Sequence, residues 1–222
     1  MSTPVRTPWP ALRRSLVAIL RGIRPSESDA VVAALIEEGF EAIEIPLNSP
    51  DAFRSIASAV RLAPAGVLIG AGTVLDVAEV DRLREAGGRL MVAPNADPEV
   101  IAKAAGYGMV TMPGVLTPTE AFRAIKAGAS GLKFFPAQLL GPAVIQAMSA
   151  VLPPDIELAA VGGVSDKDFA AYAAAGVRTF GLGSSLYKPG LTAAEVAVRA
   201  RAAVGAYDAA LGGTSEFPRA TG

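Results

Sequence analysis

From residue 16 onward the chain alternates between short runs of consecutive apolar residues and longer segments in which apolar positions recur every three or four residues. The short runs fall at 16–20, 42–45, 67–71, 90–93, 109–112, 132–135, 158–161 and 179–182. Runs of this length without polar alternation fit strands buried on both faces, and the intervening period fits amphipathic helices. The helical segments stop at Glu38-Gly39, Ala86-Gly87, Ala105-Gly106, Ala127-Gly128 and Ala175-Gly176, each shortly before the next strand. In the first unit a loop through Arg21, Gly22 and Pro25 leads to Ser26, the expected cap of a helix ending before Gly39. Strands alternating with helices predict a parallel sheet covered by helices, and eight units with no change of rhythm predict closure into an α/β barrel, the (β/α)8 TIM barrel. An open doubly wound sheet is the alternative reading of the same rhythm.

The two ends depart from this pattern. Residues 1–10 are rich in proline and small polar residues and read as a loose arm leading into a short N-terminal helix around 11–15. A last helix is expected over 192–209, and the aperiodic residues 213–222 are expected to form a mobile tail behind a single barrel domain of residues 1–212. With 222 residues, 51% of them hydrophobic, the chain is sufficient for one large domain with a full core.

A formal net charge of -1 supplies no basic excess to attract nucleic acid or anionic lipid, so small-molecule chemistry is the natural destination. There is no cysteine and no histidine. Disulfide scaffolds, thiolate nucleophiles, Cys/His zinc sites and Ser-His-Asp triads are therefore excluded, and acid–base work falls to carboxylates, lysine, tyrosine or water. No cofactor and no metal is expected, although a carboxylate-only magnesium site stays open. The longest uncharged run, 134–154, is broken by Pro136, Gly141, Pro142, Pro153 and Pro154, and reads as strand end, loop and buried helix rather than a membrane span. The arginine-bearing N-terminal segment has an apolar run too short for a signal peptide core, so a soluble, cytoplasmic protein is expected.

Two charges stand out against the apolar runs. Lys133 interrupts Gly131-Leu132-Lys133-Phe134-Phe135-Pro136, and Glu44 sits between Ile43 and Ile45. Burying an isolated charge is costly enough to shift its pKa toward the neutral form, and a neutral lysine amine is a nucleophile toward carbonyl carbon. Two bland alternatives stand beside this reading: Lys133 snorkels out at a strand end, or the two groups neutralise one another as a structural ion pair across the barrel. In a barrel, catalytic groups come from the C-terminal strand ends and the loops after them. Those positions hold Arg21 after the first strand, Thr73 after the third, Gly162-Gly163 after the seventh and Gly183-Ser184-Ser185 after the eighth. Thr73 reads either as a substrate contact or as an ordinary helix cap. Barrels commonly bind phosphate on their last two loops through close backbone approach and N–H donors. A phosphorylated ligand is therefore expected on Gly162, Gly163, Gly183 and Ser184, although each pair alone reads only as a turn. A sugar-phosphate isomerase or epimerase, or a barrel that only binds phosphate ligands, would share these loops.

The segments Ile19-Leu20-Arg21-Gly22, Glu44-Ile45-Pro46-Leu47-Asn48-Ser49-Pro50, Gly70-Ala71-Gly72-Thr73, Leu132-Lys133-Phe134-Phe135-Pro136 and Ala160-Val161-Gly162-Gly163-Val164 resemble the KDPG/KHG aldolase family, over residues 16–204. Within it, the Arg-Gly after the first strand and the Ile-Pro-Leu-Asn-Ser-Pro after Glu44 look most like the branch that cleaves 2-dehydro-3-deoxy-6-phosphogalactonate. The gluconate-specific branch usually has an arginine where this chain has Pro46, Leu47 and Asn48. The resemblance implies a class I aldolase acting on a phosphorylated keto sugar acid. By the same resemblance Lys133 forms the Schiff base, Glu44 relays protons, Thr73 contacts the keto acid and the glycine loops bind phosphate. It leaves the pyruvate carboxylate to Arg21 or Arg24, or to backbone and Thr73 donors, and it implies a homotrimer.

Overall fold

The structure is a computed structural model that describes residues 6–212, so the tail expected at 213–222 lies outside the described residues. Along the chain the order is β1 (Leu16–Ile19), α1 (Pro25–Glu37), β2 (Ala42–Pro46), α2 (Ala52–Leu62), β3 (Leu68–Gly72), α3 (Val77–Glu85), β4 (Leu90–Val92) and α4 (Pro98–Gly106). It continues with β5 (Val110–Met112), β6 (Gly114–Val115), α5 (Pro118–Lys126), β7 (Gly131–Phe134), α6 (Ala137–Ser149), β8 (Glu157–Val161), α7 (Phe169–Ala174), β9 (Thr179–Leu182) and α8 (Ala193–Leu211).

Every strand pairing is parallel, in the order β5-β4-β3-β2-β1-β9-β8-β7-β6. The two end segments, β5 and β6, are halves of one strand interrupted by Pro113, which has no N–H to give to a ladder. Val92 pairs with Met112 on one side and Lys133 with Gly114 on the other, and the Lys133 N–H donates to the Pro113 carbonyl at 2.9 Å. This single strand therefore joins both ends of the sheet and closes an eight-stranded barrel, which removes the open-sheet alternative.

Side chains alternate between the two faces of each strand. Outward residues such as Ile43, Ile45, Leu132 and Phe134 pack beneath the helices in the main core. Inward residues Val17, Ala42, Leu68, Leu90, Val110 and Ala159 belong to a separate core inside the barrel, and Trp9 and Leu12 pack against it from the segment before β1.

That segment is an irregular strap, not the short helix expected at 11–15. Its polar groups are satisfied around the barrel mouth instead of within a helical turn. Arg13 N–H donates to Glu41 at 2.6 Å, Arg14 forks onto Asp208 at 2.7 and 2.6 Å, and Trp9 Nε1–H donates to Ser15 Oγ at 2.9 Å. The chain of hydroxyls continues from Ser15 to Thr179 at 2.5 Å, and Thr179 donates to the Glu157 carboxylate at 2.7 Å.

Smaller corrections concern helix ends. Ser26 is not the cap of α1: Pro25, with its preset φ, takes the first helical position, and Glu27 accepts from the Arg24 N–H at 3.4 Å. α4 stops at Gly106, as expected, and the left-handed turn follows at Gly108, with φ 70°. The last helix runs slightly longer than expected, and Thr192 accepts from the Glu195 N–H at 3.3 Å. α6 is kinked at Gly141, φ 70° and ψ 164°, just before Pro142. Among the described residues no helix is long and apolar enough to cross a membrane.

Candidate active site

At the C-terminal strand ends lies a cavity of about 520 Å³. All eight residues singled out from the sequence line it: Arg21, Glu44, Thr73, Lys133, Gly162, Gly163, Gly183 and Ser184. Strand parity explains the two charged groups. Ala42 belongs to the barrel interior, so Glu44, two residues on, shares its face, while Ile43 and Ile45 turn outward. Leu132 and Phe134 likewise pack outward and leave Lys133 facing in.

Glu44 is 2% and Lys133 6% exposed, so neither snorkels to solvent. Lys133 closes no direct salt bridge among the described residues, although it and Glu44 act on one another's pKa. Its Nζ lies 4.8 Å from the centre of the Phe135 ring. Burial pushes the Lys133 pKa down; the Glu44 charge opposes that shift and Arg21 reinforces it. Burial pushes Glu44 up, against the pull of Lys133 and Arg21, and its Oε2 is buried with no hydrogen-bond partner among the described residues. Both groups are thus driven toward their neutral forms, an amine able to add to a carbonyl and a carboxyl able to exchange protons near neutral pH. The carboxyl sits where β3 presents Gly72, and a Cβ there would overlap it.

Thr73 is not a helix cap, because Asp76 caps α3 and accepts from the Glu79 N–H at 2.9 Å. Instead Thr73 stands at φ 57°, a strained conformation for a β-branched residue and one that tends to occur at functional sites. Arg21 Nη1 donates to Asn48 Oδ1 at 2.6 Å and reaches Thr73 Oγ1 at 3.4 Å. Arg24 is not among the residues around the cavity.

The two glycine loops line the same cavity. Among the described residues, the N–H groups of Gly162, Gly163, Gly183 and Ser184 donate to no protein acceptor, so four backbone donors are available to an anion. Gly162 and Gly163 take φ of 91° and 75°, and added Cβ atoms would press on the Phe135 ring and the Gln138 side chain. A Cβ on Gly183 would meet open space. Ser185 Oγ donates to the Val164 carbonyl at 3.2 Å and ties the loops together. Sequence reasoning did not assign roles to Phe135, Ser185 or Asn48. Phe135 neighbours the lysine motif and Ser185 extends a loop already singled out, but Asn48 meets Arg21 across 27 residues, and no local pattern announces that contact. Among the described residues no three carboxylates gather where a metal ion could be held.

Comparison with known proteins places these features in context. The family described as KDPG and KHG aldolase matches residues 12–200. The probable 2-dehydro-3-deoxy-6-phosphogalactonate aldolase of Rhizobium meliloti (strain 1021) is 66% identical over 208 residues, covering 94% of this chain and 98% of the relative. The 2-dehydro-3-deoxy-6-phosphogalactonate aldolase of Escherichia coli (strain K12) is 50% identical over 192 residues, 86% of this chain and 94% of the relative. A solved structure described as native KDPGal superposes with a TM-score of 0.90 at 48% identity, covering 92% of this chain and 99% of that one.

Proposed function

Because this chain belongs to the KDPG and KHG aldolase family, we propose that it is a class I aldolase cleaving 2-dehydro-3-deoxy-6-phosphogalactonate to pyruvate and D-glyceraldehyde 3-phosphate. The observation that carries this reading is Lys133: a buried amine lining the cavity, with its pKa lowered by burial and no direct salt bridge among the described residues.

In this reading the Lys133 amine adds to the C2 ketone, and loss of water from the carbinolamine leaves a protonated imine. The C4 hydroxyl gives up its proton, the C3–C4 bond breaks, and its electron pair moves into the imine to form an enamine. C4 departs as the aldehyde of glyceraldehyde 3-phosphate. A proton added at C3 and hydrolysis of the imine then release pyruvate and restore the amine. Glu44 moves these protons through a bound water, a role suited to a carboxyl whose pKa burial has raised toward neutrality. Arg21 and Thr73 receive the keto-acid carboxylate, and the free N–H groups of Gly162, Gly163, Gly183 and Ser184 receive the phosphate. The assembly is a homotrimer, as the family resemblance implies, and the exposed apolar side chains Phe122, Leu139 and Val144 on α5 and α6 offer a surface for contact between copies. A cytoplasmic location fits a chain without cysteine.

Reduction with borohydride in the presence of pyruvate, followed by mass mapping, is expected to place one adduct on Lys133. An adduct on Lys103, Lys126, Lys167 or Lys188 overturns the assignment, and a phosphate-binding barrel or an isomerase that needs no imine would give none. Comparing kcat/KM for the two C4 epimers tests the substrate; a preference for the gluconate configuration overturns the galactonate reading.

A further inference from the structure

Arg21, Asn48 and Thr73 follow three neighbouring strands, β1, β2 and β3, and meet at the cavity rim. A guanidinium carries five N–H groups, two of them on Nη1. In this structure Nη1 faces the Asn48 Oδ1 at 2.6 Å and the Thr73 Oγ1 at 3.4 Å, while Nε and Nη2 have no protein acceptor among the described residues. The Nε–Nη2 edge is the one that grips a carboxylate through two parallel hydrogen bonds. The backbone is pinned at the same place, since the Gly22 N–H donates to Ser49 Oγ at 2.8 Å and couples the residue after Arg21 to the residue after Asn48. Arg21 is itself an exposed side chain, so without this bracing its long stem would be free to sample many rotamers.

We propose that Asn48 is a positioning residue: it holds the Arg21 guanidinium so that the free Nε–Nη2 edge receives the carboxylate of the keto acid. The inference rests on the reading of Arg21 as the carboxylate partner. The type of residue matters as well as its place. An amide oxygen accepts the hydrogen bond without adding charge, whereas an aspartate would pair with Arg21 and compete with the substrate for it. Asn48 does not line the cavity and acts only through Arg21.

The experiment measures pyruvate-dependent trapping by borohydride, separating the half-saturating pyruvate concentration from the limiting rate, in R21A, N48A, N48D and the double variant R21A/N48A. An ordinary net hydrogen bond sets the scale, because Asn48 acts on pyruvate only through Arg21, so N48A is expected to raise half-saturation about three- to tenfold and leave the limiting rate within about twofold. R21A is expected to raise it at least as much, and the double variant to match R21A alone, because Asn48 has nothing left to position. N48D is expected to weaken pyruvate as much as N48A or more. If R21A leaves half-saturation unchanged, the carboxylate role of Arg21 fails and this inference with it. If R21A weakens pyruvate and N48A does not, only the role of Asn48 fails. Full additivity in the double variant, a loss confined to the limiting rate in N48A, or tighter pyruvate binding by N48D would each overturn it.

Discussion

Lys133 and Glu44 influence one another across the cavity, and the direction of that influence is open to measurement. The amine must be unprotonated to attack, so trapping of pyruvate is expected to rise with pH and to level off below the range an exposed lysine would need, because burial lowers the Lys133 pKa. The Glu44 charge opposes that lowering. Glu44→Gln removes it, and the rise in trapping is expected to move to lower pH; an unmoved or upward-shifted profile would mean that the carboxylate is not felt at the amine. Turnover in the same variant is expected to fall by roughly 10²–10⁴, the usual worth of a positioned acid–base group. Near-normal turnover would assign Glu44 to structure. Both charges were legible in the sequence, because each breaks an apolar run of strand length, but that both face inward follows from which of their neighbours pack beneath the helices. The bracing of Arg21 by Asn48 was not legible, since it joins two loops that only the barrel brings side by side.

At the scale of elements, β3 carries two interior glycines with different reasons to be glycine. A Cβ at Gly70 would overlap the backbone carbonyl of Leu90 in the neighbouring strand, whereas one at Gly72 would overlap the Glu44 carboxylate. Backbone in a ladder has no room to give, so Gly70→Ala is expected to cost about 4 kcal/mol or more, or to prevent folding. Gly72→Ala displaces a side-chain end and is expected to cost about 1–3 kcal/mol, with turnover lost nearly as far as in Glu44→Gln. Thermal unfolding alongside kcat separates the two. The phosphate loops divide in a similar way. Substituting Gly163 would strain a left-handed residue and collide with Gln138, so its loss of activity would be uninformative, while Gly183→Ala adds a methyl where there is open space. Gly183→Ala is expected to lower kcat/KM for the phosphorylated substrate and spare pyruvate trapping; unchanged kcat/KM would place the phosphate elsewhere. The glycine pairs were visible in the sequence, but which of them a ligand approaches and which the fold itself requires depends on what packs behind each one.

For the molecule as a whole, the two ends of the barrel are separable. The N-terminal strap closes one end with Trp9 and Leu12, while the reactive groups gather at the other. Trp9→Ala removes apolar contact and the hydrogen bond to Ser15, and is expected to cost about 2 kcal/mol of stability without changing the pyruvate adduct on Lys133. Denaturant unfolding and borohydride trapping on one preparation test this, and loss of trapping in the folded variant would show that the two ends are coupled.

The sequence by itself determined the eightfold rhythm, the placing of Lys133 and Glu44 within apolar runs of strand length, and the loops that carry glycine, because these follow from local periodicity and residue type. Helix ends were less legible. Ser26 is a good local signal for a cap, but Pro25 stood beside it and took the first helical position. The strap at 11–15 took an irregular path because its partners, Glu41, Thr179 and Asp208, are distant in the chain and present only once the barrel has closed. Tertiary structure alone decided that closure runs through a strand split at Pro113, that Lys133 closes no direct salt bridge among the described residues, and that Arg21 rather than Arg24 reaches the cavity. Each of these is a relation between residues far apart in sequence, set by the packing of whole strands and not by any local preference.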